Sequence, residues 1–232
     1  MNDAPPPDPS ARRPARAGRA KPAADGRGRR GEARAKIINA ALKLVRERGY
    51  AGTSVDDLCR EAGVTKGAFF HHFKSKDDLA IAAAEYWSEM TGALFASAPY
   101  HQHEDPLERV LAYVDFRGAL IAGDVAEFTC LVGTMVQEAY GAHPDIRAAC
   151  QASIFGHAAT LEADIEAAKT KYNIQSEWSA KSLALHTQAV LQGGFILAKA
   201  QNSAEAVMES VAHLRRYIKL LFGLGIDKEK ST

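Results

Sequence analysis

Several features of secreted, membrane-spanning and disulfide-bonded proteins are missing from this 232-residue sequence. Its three cysteines, Cys59, Cys130 and Cys150, are far apart and odd in number, which argues against a disulfide framework and fits a reducing compartment. No apolar run approaches the ~20 residues that cross a bilayer, and the first thirty residues contain no apolar signal-peptide core. These absences predict a cytoplasmic protein that has no contact with membranes.

Motifs of common catalytic sites are absent as well. The sequence contains no Walker A, G-x-S-x-G, C-x-x-C or H-E-x-x-H run, so we expect neither enzymatic activity nor a cofactor. The segment HQHEDP has the composition of a metal site in His101, His103, Glu104 and Asp105. Because adjacent residues in a loop between helices are usually solvated, we predict no metal site there.

Alternating β-branched runs bounded by hairpin turns are absent, whereas apolar residues recur at helical spacing from Glu32 onward. The pattern therefore predicts an all-α fold. About nine helices are expected, roughly at residues 32–48, 54–63, 66–73, 75–98, 106–122, 127–140, 144–171, 176–200 and 204–222.

Charge is distributed unevenly along the chain, although the net charge is only +1. Residues 11–76 carry 17 Lys and Arg against 6 Asp and Glu, and residues 77–232 carry 12 against 20. A basic first third joined to an acidic remainder indicates an N-terminal part that meets a polyanion.

Residues 1–31 are rich in Pro, Gly, Ala and Arg and have no large apolar residue after Met1. Such a segment cannot bury enough surface to offset its ordering entropy, so we predict a disordered basic arm. Ten of the 29 Lys and Arg lie within residues 12–36. The arm could follow DNA phosphates or enter a minor groove, or it could be a solubilising tail.

Two short helices joined by a glycine turn are indicated by the run SVDDLCREAGVTKGAFFHHF, which has the helix-turn-helix pattern. Leu58, Ala62, Val64 and Phe69 should form the small core between them. In this motif the second helix enters the major groove and its N-terminal residues meet base edges. The run therefore predicts DNA binding.

The longer stretch GYAGTSVDDLCREAGVTKGAFFHHFKSKDDL resembles the DNA-binding domain of the tetracycline-repressor (TetR) family over about residues 34–81. The resemblance implies a three-helix DNA-binding domain at residues 32–76 and an effector-binding and dimerising domain at residues 77–232. It assigns DNA contacts to Thr53, Ser54, Thr65, Lys66, Gly67, Ala68, Phe70, His71, His72 and Lys76. Thr53 and Ser54 would bind phosphate, residues 65–68 would face bases, and His71, His72 and Lys76 would hold phosphate or flanking bases. Phe70 stands where the family usually has Tyr, which removes one phosphate contact worth about 1 kcal/mol.

The last two predicted helices have features of a subunit interface. The final helix carries an uninterrupted apolar stripe, and the helix before it contains two adjacent glycines that permit close backbone approach. We expect a two-fold interface formed by His186, Val190, Gly193, Gly194, Val211, Leu214, Ile218 and Leu221. The alternative is that both helices pack only within one chain.

Polar and aromatic residues among apolar neighbours are the candidates for an effector pocket: Trp87, Tyr113, Phe116, Cys130, Thr134, Gln137, Glu138 and His157. Each could instead be a satisfied core residue. The run CLVG at Cys130 resembles a subset of TetR regulators that have Gly-Cys-Leu there, although this chain has Thr129 in place of the glycine. Covalent or redox sensing by Cys130 is one hypothesis, and a small buried side chain is the other.

Taken together, these patterns predict a homodimeric transcriptional regulator, a repressor that binds double-stranded operator DNA at an inverted repeat and is released by an unknown small molecule. Two other functions remain open at this point. The first is a DNA-architectural protein without an effector, whose core would be filled. The second is a helical enzyme whose basic N-terminus is incidental.

Overall fold

The computed structural model of the protein describes the backbone of residues 25–225 and the side chains of residues 31–225. That part of the chain holds eleven α-helices and one 3-10 helix and no strand, so the all-α prediction is confirmed. The helices are α1 (Asp25–Arg48), α2 (Val55–Ala62), α3 (Lys66–His72), α4 (Lys76–Ala96), the 3-10 helix (Pro99–Gln102), α5 (Pro106–Ala119), α6 (Val125–Phe128), α7 (Leu131–Ala139), α8 (Pro144–Ala159), α9 (Glu162–Lys171), α10 (Ala180–Gln201) and α11 (Glu205–Leu221).

The first helix begins earlier than the sequence pattern indicated, at Asp25 instead of Glu32. Its C-terminal end agrees with the prediction, because Gly49 adopts a left-handed conformation (φ +83°) that stops the helix. Residues 1–24, most of the predicted basic arm, lie outside the described residues.

Residues 25–225 hold two more α-helices than the approximate number from the sequence pattern, because two predicted helices are each divided. In the region 127–140, α6 ends at Phe128, Thr129 is extended, and Cys130 starts α7 by accepting a hydrogen bond at Sγ from the Gly133 amide (3.4 Å). In the region 144–171, a turn at Thr160 separates α8 from α9, and the Thr160 hydroxyl donates to the His157 carbonyl (2.8 Å). Both breaks form without proline, so the apolar period alone did not reveal them.

Two hydrophobic cores organise the helices. The first contains Ile37 and Leu44 of α1 and Phe69 of α3, and it continues without interruption into α4, α7 and α8 through Leu131 and Ile146. The second is formed by α5, α9, α10 and α11. The helix-turn-helix segment therefore packs on α1, which packs on α6 and α7 of the second half, and α4 connects the two along the chain.

The predicted stripe of α11 is buried within the chain, which corrects part of the expected interface. Val211, Leu214 and Ile218 are 6%, 2% and 0% exposed and belong to the second core, against α5 and α10. A Cβ on Gly194 would lie 2.8 Å from Cγ2 of Val207. This glycine therefore allows α10 and α11 of the same chain to pack closely.

Other residues of α10 and α11 remain at the surface. Of the predicted interface, His186 is exposed, and Val190, Gly193 and Leu221 are partly exposed. Five large apolar residues of the same two helices are 43–54% exposed: Ile196, Leu197, Met208, Tyr217 and Leu220. Within residues 25–225, none of the helices combines the length and hydropathy needed to cross a bilayer.

Candidate DNA interface and ligand cavity

Side-chain caps define the starts of α2 and α3. Ser54 Oγ accepts from the Asp57 amide (3.1 Å), and Asp57 Oδ2 accepts from the Ser54 amide (3.1 Å), which is a capping box. Gly63, at φ +64°, ends α2, and Thr65 Oγ1 accepts from the Ala68 amide (3.1 Å) to start α3. These caps place the N-terminal end of α3 directly after a tight turn.

The predicted core between the two helices is confirmed. Leu58 and Phe69 are 1% and 0% exposed. Ala62 and Val64 are partly buried and pack against the same core. The orientation of α3 is thereby set by the side chains on its inner face.

The outer face of α3 presents the residues expected to meet bases. Thr65, Lys66 and Gly67 are exposed and Ala68 is partly exposed. The Lys66 ammonium lies 2.8 Å from Asp56 Oδ1, and both side chains are 60% exposed. Such a surface ion pair contributes little to stability, so Lys66 can exchange its carboxylate partner for a phosphate or a base.

Aromatic and imidazole rings continue this face. Phe70 is 55% exposed, beside the buried Phe69. His71 is exposed and His72 is partly exposed, and their rings meet edge to face at 5.1 Å. The inner side of α3 is thus apolar, with Phe69 buried, and the outer side carries Lys66, Phe70 and the two histidines.

Thr53 and Lys76, also expected to contact DNA, have hydrogen bonds to the backbone of the loop before α2. Thr53 is 1% exposed, and its hydroxyl donates to the Gly49 carbonyl (2.7 Å). The Lys76 ammonium donates to the carbonyls of Tyr50 (3.0 Å) and Thr53 (3.2 Å) and lies 4.1 Å from the centre of the Tyr50 ring. Both side chains shape the loop between α1 and α2, and a phosphate contact by either one would break these bonds.

The same loop is joined to the second half of the chain by carboxylates. The Tyr50 hydroxyl donates to Asp77 at the start of α4, and His143 Nδ1 lies 2.6 Å from the other oxygen of Asp77. Glu138 of α7 accepts from the Ala51 amide (2.7 Å). The hydrogen bond from Tyr50, together with that from His143, lowers the pKa of Asp77, so the carboxylate is charged at neutral pH.

A cavity of about 320 Å³ lies between α1, α4, α5, α6, α7, α8 and α10. Three predicted pocket residues, Trp87, Cys130 and His157, line it. Two others stand behind its wall: the Phe116 ring packs on the Phe95 ring (5.5 Å), and the Tyr113 hydroxyl lies 3.0 Å from His157 Nε2.

Three predicted pocket residues face elsewhere, because α7 turns its polar side away from this cavity. Thr134 and Glu138 line a separate open cleft beside the end of α1. There the Thr134 hydroxyl accepts from Lys199 Nζ (2.6 Å). The Gln137 amide donates to the Gly133 carbonyl of its own helix (2.8 Å). The face that the sequence pattern indicated is therefore divided between two sites.

Charged and amide groups that sequence reasoning missed complete the cavity wall. Arg117 Nη1 donates to the Tyr113 hydroxyl (3.2 Å) and to His157 Nε2 (3.2 Å). The Gln188 amide, in a side chain 5% exposed, donates to the same hydroxyl (3.1 Å). Burial lowers the pKa of His157 to about 4, with a smaller contribution from Arg117, so the imidazole is neutral at pH 7. Arg46 also lines the cavity.

No group of three or more His, Cys, Asp or Glu within the described residues has the arrangement of a metal site. In the HQHEDP segment, His101 Nε2 lies 3.0 Å from the Phe95 carbonyl. Asp105 caps α5 and pairs with Lys171 (2.8 Å). These side chains bind protein groups.

Known proteins resemble both halves of the chain. The family described as bacterial regulatory proteins, tetR family, matches residues 37–83, and the family described as Tetracyclin repressor-like, C-terminal domain, matches residues 106–214. Transcriptional regulator AcuR of Cereibacter sphaeroides is 31% identical over 49% of this chain and 52% of its own length. HTH-type transcriptional regulator LmrA of Bacillus subtilis is 28% identical over 75% of this chain and 90% of its own. The uncharacterized regulator YerO, also of Bacillus subtilis, is 38% identical over 26% of this chain and only 21% of its own length.

Solved structures share the fold. A transcriptional regulator of the TetR family from Agrobacterium tumefaciens has a TM-score of 0.72 and 20% identity, with 81% of this chain and 98% of that chain covered. At that identity the likeness concerns the fold alone.

Proposed function

Since the chain belongs to the TetR family of DNA-binding transcriptional regulators, we propose that it acts as a repressor, which binds an inverted-repeat operator as a homodimer and is released when a small molecule occupies the cavity. In this proposal α3 enters the major groove and residues 65–68 meet base edges.

One observation carries the proposal: the cavity shares walls with the helices that hold the DNA-binding segment. Leu42 and Arg46 of α1 and Trp87 of α4 line it. The Arg46 guanidinium donates to the Glu127 carbonyl (2.7 Å) and lies 5.3 Å from the centre of the Trp87 ring. An occupant that displaces these side chains therefore acts on both helices that support α2 and α3.

The switch requires a difference in effector affinity between two arrangements of the dimer. If the effector prefers the arrangement in which the two α3 helices no longer match successive grooves, its binding lowers operator affinity by the same factor. A cavity of about 320 Å³ counts against a purely architectural DNA-binding protein, for which a filled core is expected.

The dimer is supported by the exposed apolar residues of α10 and α11. Ile196, Leu197 and Leu220 are each about half exposed, and apolar surface of this kind marks protein interfaces. Two half-sites on DNA also demand a two-fold partner. We therefore expect Ile196→Glu combined with Leu220→Glu to give monomers in sedimentation analysis. The matched control is Phe155→Glu, since Phe155 is an equally exposed residue of α8 (51%).

Selection of genomic fragments by the purified protein tests DNA recognition. The expected result is one or a few fragments with a protected inverted repeat, whose half-sites lie about one helical turn apart. Lys66→Gln should weaken binding, whereas Lys36→Gln, a change of an exposed lysine in an ion pair on α1, should not. A protein that prefers no fragment over random competitor at moderate salt, or that sediments as a monomer, would contradict the proposal.

A further inference from the structure

Arg117 is a partly buried cation at the cavity, and its hydrogen-bond partners are neutral. Its Nη1 donates to the Tyr113 hydroxyl and to His157 Nε2, and its guanidinium lies 5.3 Å from the centre of the Phe95 ring. Within residues 31–225, no carboxylate oxygen lies within 4.0 Å of its nitrogens. A partly desolvated charge of this kind is costly unless an opposite charge compensates it.

Two other arginines that contact or belong to α5 are each compensated by a carboxylate. Arg109, about two turns earlier on α5, pairs with Asp164 at 2.7 Å. Arg215 of α11 pairs with Asp115 of α5, also at 2.7 Å. Arg117 lies on the same helix as Arg109 and has no carboxylate partner among residues 31–225, and it is the one of these three that lines the cavity.

The neutral partners position the guanidinium without neutralising it. Tyr113 is 1% exposed, and its hydroxyl receives hydrogen bonds from Arg117 and from the Gln188 amide. His157 Nε2 is within hydrogen-bond distance of both Tyr113 and Arg117. Because the imidazole is neutral at pH 7, it accepts from the guanidinium and adds no second positive charge.

The lining as a whole carries a net positive charge and is otherwise mostly apolar. Its other charged groups are Arg46 and Glu127. Arg46 donates to the Glu127 backbone carbonyl, and the Glu127 carboxylate accepts from the Asp124 amide (2.9 Å). With Arg117 included, the lining has two cations and one carboxylate, so one additional negative charge would balance it.

Apolar side chains from four helices surround the remaining space: Trp87, Met90, Leu94, Phe128, Ile154 and Phe195. The volume, about 320 Å³, is at the small end of the range for ligand pockets. A single ring or a short hydrocarbon chain fits such a space. Ligand pockets commonly combine this kind of apolar wall with one group that fixes orientation.

We propose that the effector is a small apolar monocarboxylic acid, whose carboxylate binds Arg117 while its ring or hydrocarbon chain lies against the apolar wall. The planar guanidinium matches a carboxylate with two parallel hydrogen bonds. This inference rests on the proposed function for its consequence, the release of DNA, but the binding site itself can be tested without DNA.

The test compares ligands of one shape and different charge. Phenylacetate and octanoate, their neutral amides, and phenylethylamine are titrated into the full-length protein by calorimetry, with melting temperature as a second readout. We expect the acids to bind about tenfold or more tightly than the amides, and the amine not to bind. Equal affinity for acid and amide, or no binding of either acid, overturns the inference.

Variants of Arg117 test whether this residue causes the preference for acids over amides. Arg117→Gln should bring the affinities for acid and amide close together, while Arg117→Lys should retain part of the difference. Arg215→Gln is the matched control, because it removes an arginine that contacts α5 away from the cavity, and it should leave the preference unchanged. If Arg117→Gln keeps the wild-type ratio of acid to amide affinity, the carboxylate does not bind Arg117 and the inference is wrong.

The two proposals can fail separately. If the protein selects a genomic fragment but shows no preference for acids, the proposed function is supported and the proposed class of effector is refuted. If the protein prefers acids through Arg117 but selects no DNA, the carboxylate site is supported and the proposed function is refuted.

Discussion

His143 Nδ1 lies 2.6 Å from Asp77 Oδ2, and this contact joins the start of α8 to the start of α4. The other oxygen of Asp77 accepts from the Tyr50 hydroxyl in the loop before α2. One carboxylate therefore connects the DNA-binding segment, α4 and the second half of the chain. The ring of Tyr50 also meets the His143 imidazole edge to face at 5.5 Å.

Asp77→Asn is expected to weaken this junction. The amide keeps the shape but loses the charge that strengthens both hydrogen bonds, so the free energy of unfolding should fall by about 1 kcal/mol. Urea denaturation measures the change. Asp145→Asn is the control, because Asp145 is an exposed aspartate in the first turn of α8. Equal losses of unfolding free energy in the two variants would show that the effect comes only from removing a negative charge at the start of a helix.

Some local features of the DNA-binding segment could be predicted because short-range chemistry determines them. A hydroxyl at Thr53 or Ser54 indicates the start of α2 and Gly63 indicates its end, and the structure has Ser54 and Gly63 in those roles. The hydrogen bond of the Thr53 hydroxyl was harder to predict, because its acceptor, the Gly49 carbonyl, comes close to it only when the loop is folded.

The apolar stripe of α11 illustrates a different limit. Helical spacing shows that one face of a helix is buried, but it does not show whether the same chain or a second copy buries it. Here α5 and α10 of the same chain cover Val211, Leu214 and Ile218. Arg117 was missed for a related reason: His157, which contacts it, and Gln188, which contacts its partner Tyr113, lie far away in sequence.

His157 should make stability depend on pH between about 6.5 and 4. The unfolded chain binds a proton on this imidazole near pH 6.5, whereas in the folded state burial lowers the pKa to about 4. The unfolded state thus holds more protons in this window, so stability falls as pH falls, by an amount on the order of 3 kcal/mol when pH 4 is reached.

His157→Gln is expected to flatten that part of the curve. The measurement is the free energy of unfolding from urea titrations at several pH values from 7 to 4. His103→Gln changes an exposed histidine and should reproduce the wild-type slope. An unchanged slope in His157→Gln would mean that other groups cause the dependence.

Cys130 should be the first cysteine to react with iodoacetamide in the folded protein. It is partly exposed and lines the cavity, whereas Cys59 and Cys150 are 6% and 0% exposed. Burial also raises the pKa of both buried thiols, to about 12 for Cys150, which lowers their thiolate fraction. Peptide mass spectrometry during limited labelling gives the order.

Cys130→Ser separates reactivity from capping. Serine can retain the cap that Cys130 provides to the Gly133 amide, so the variant should fold with similar stability. If Cys130 senses electrophiles, the release of DNA by such compounds should be lost. An intact response in Cys130→Ser would refute covalent sensing.

The N-terminal basic segment should contribute to DNA affinity through charge. Residues 1–24 carry 5 Lys and Arg against 2 Asp, and α1 begins after them, so they can be deleted without shortening a helix. Fewer counterions would then be released on binding. The slope of log K against log salt should become shallower, and an unchanged slope would exclude a role for this segment.

Phe70→Tyr is expected to tighten operator binding. Phe70 is 55% exposed on the outer face of α3, so a hydroxyl added to the ring has space to reach a phosphate. One neutral hydrogen bond contributes about 1 kcal/mol, or roughly fivefold in affinity. Fluorescence anisotropy on the selected operator measures the gain. Because a hydroxyl releases no counterion, the salt slope should match that of the wild type. Weaker binding by Phe70→Tyr would instead mean that this ring lies against an apolar part of the DNA, such as a thymine methyl group.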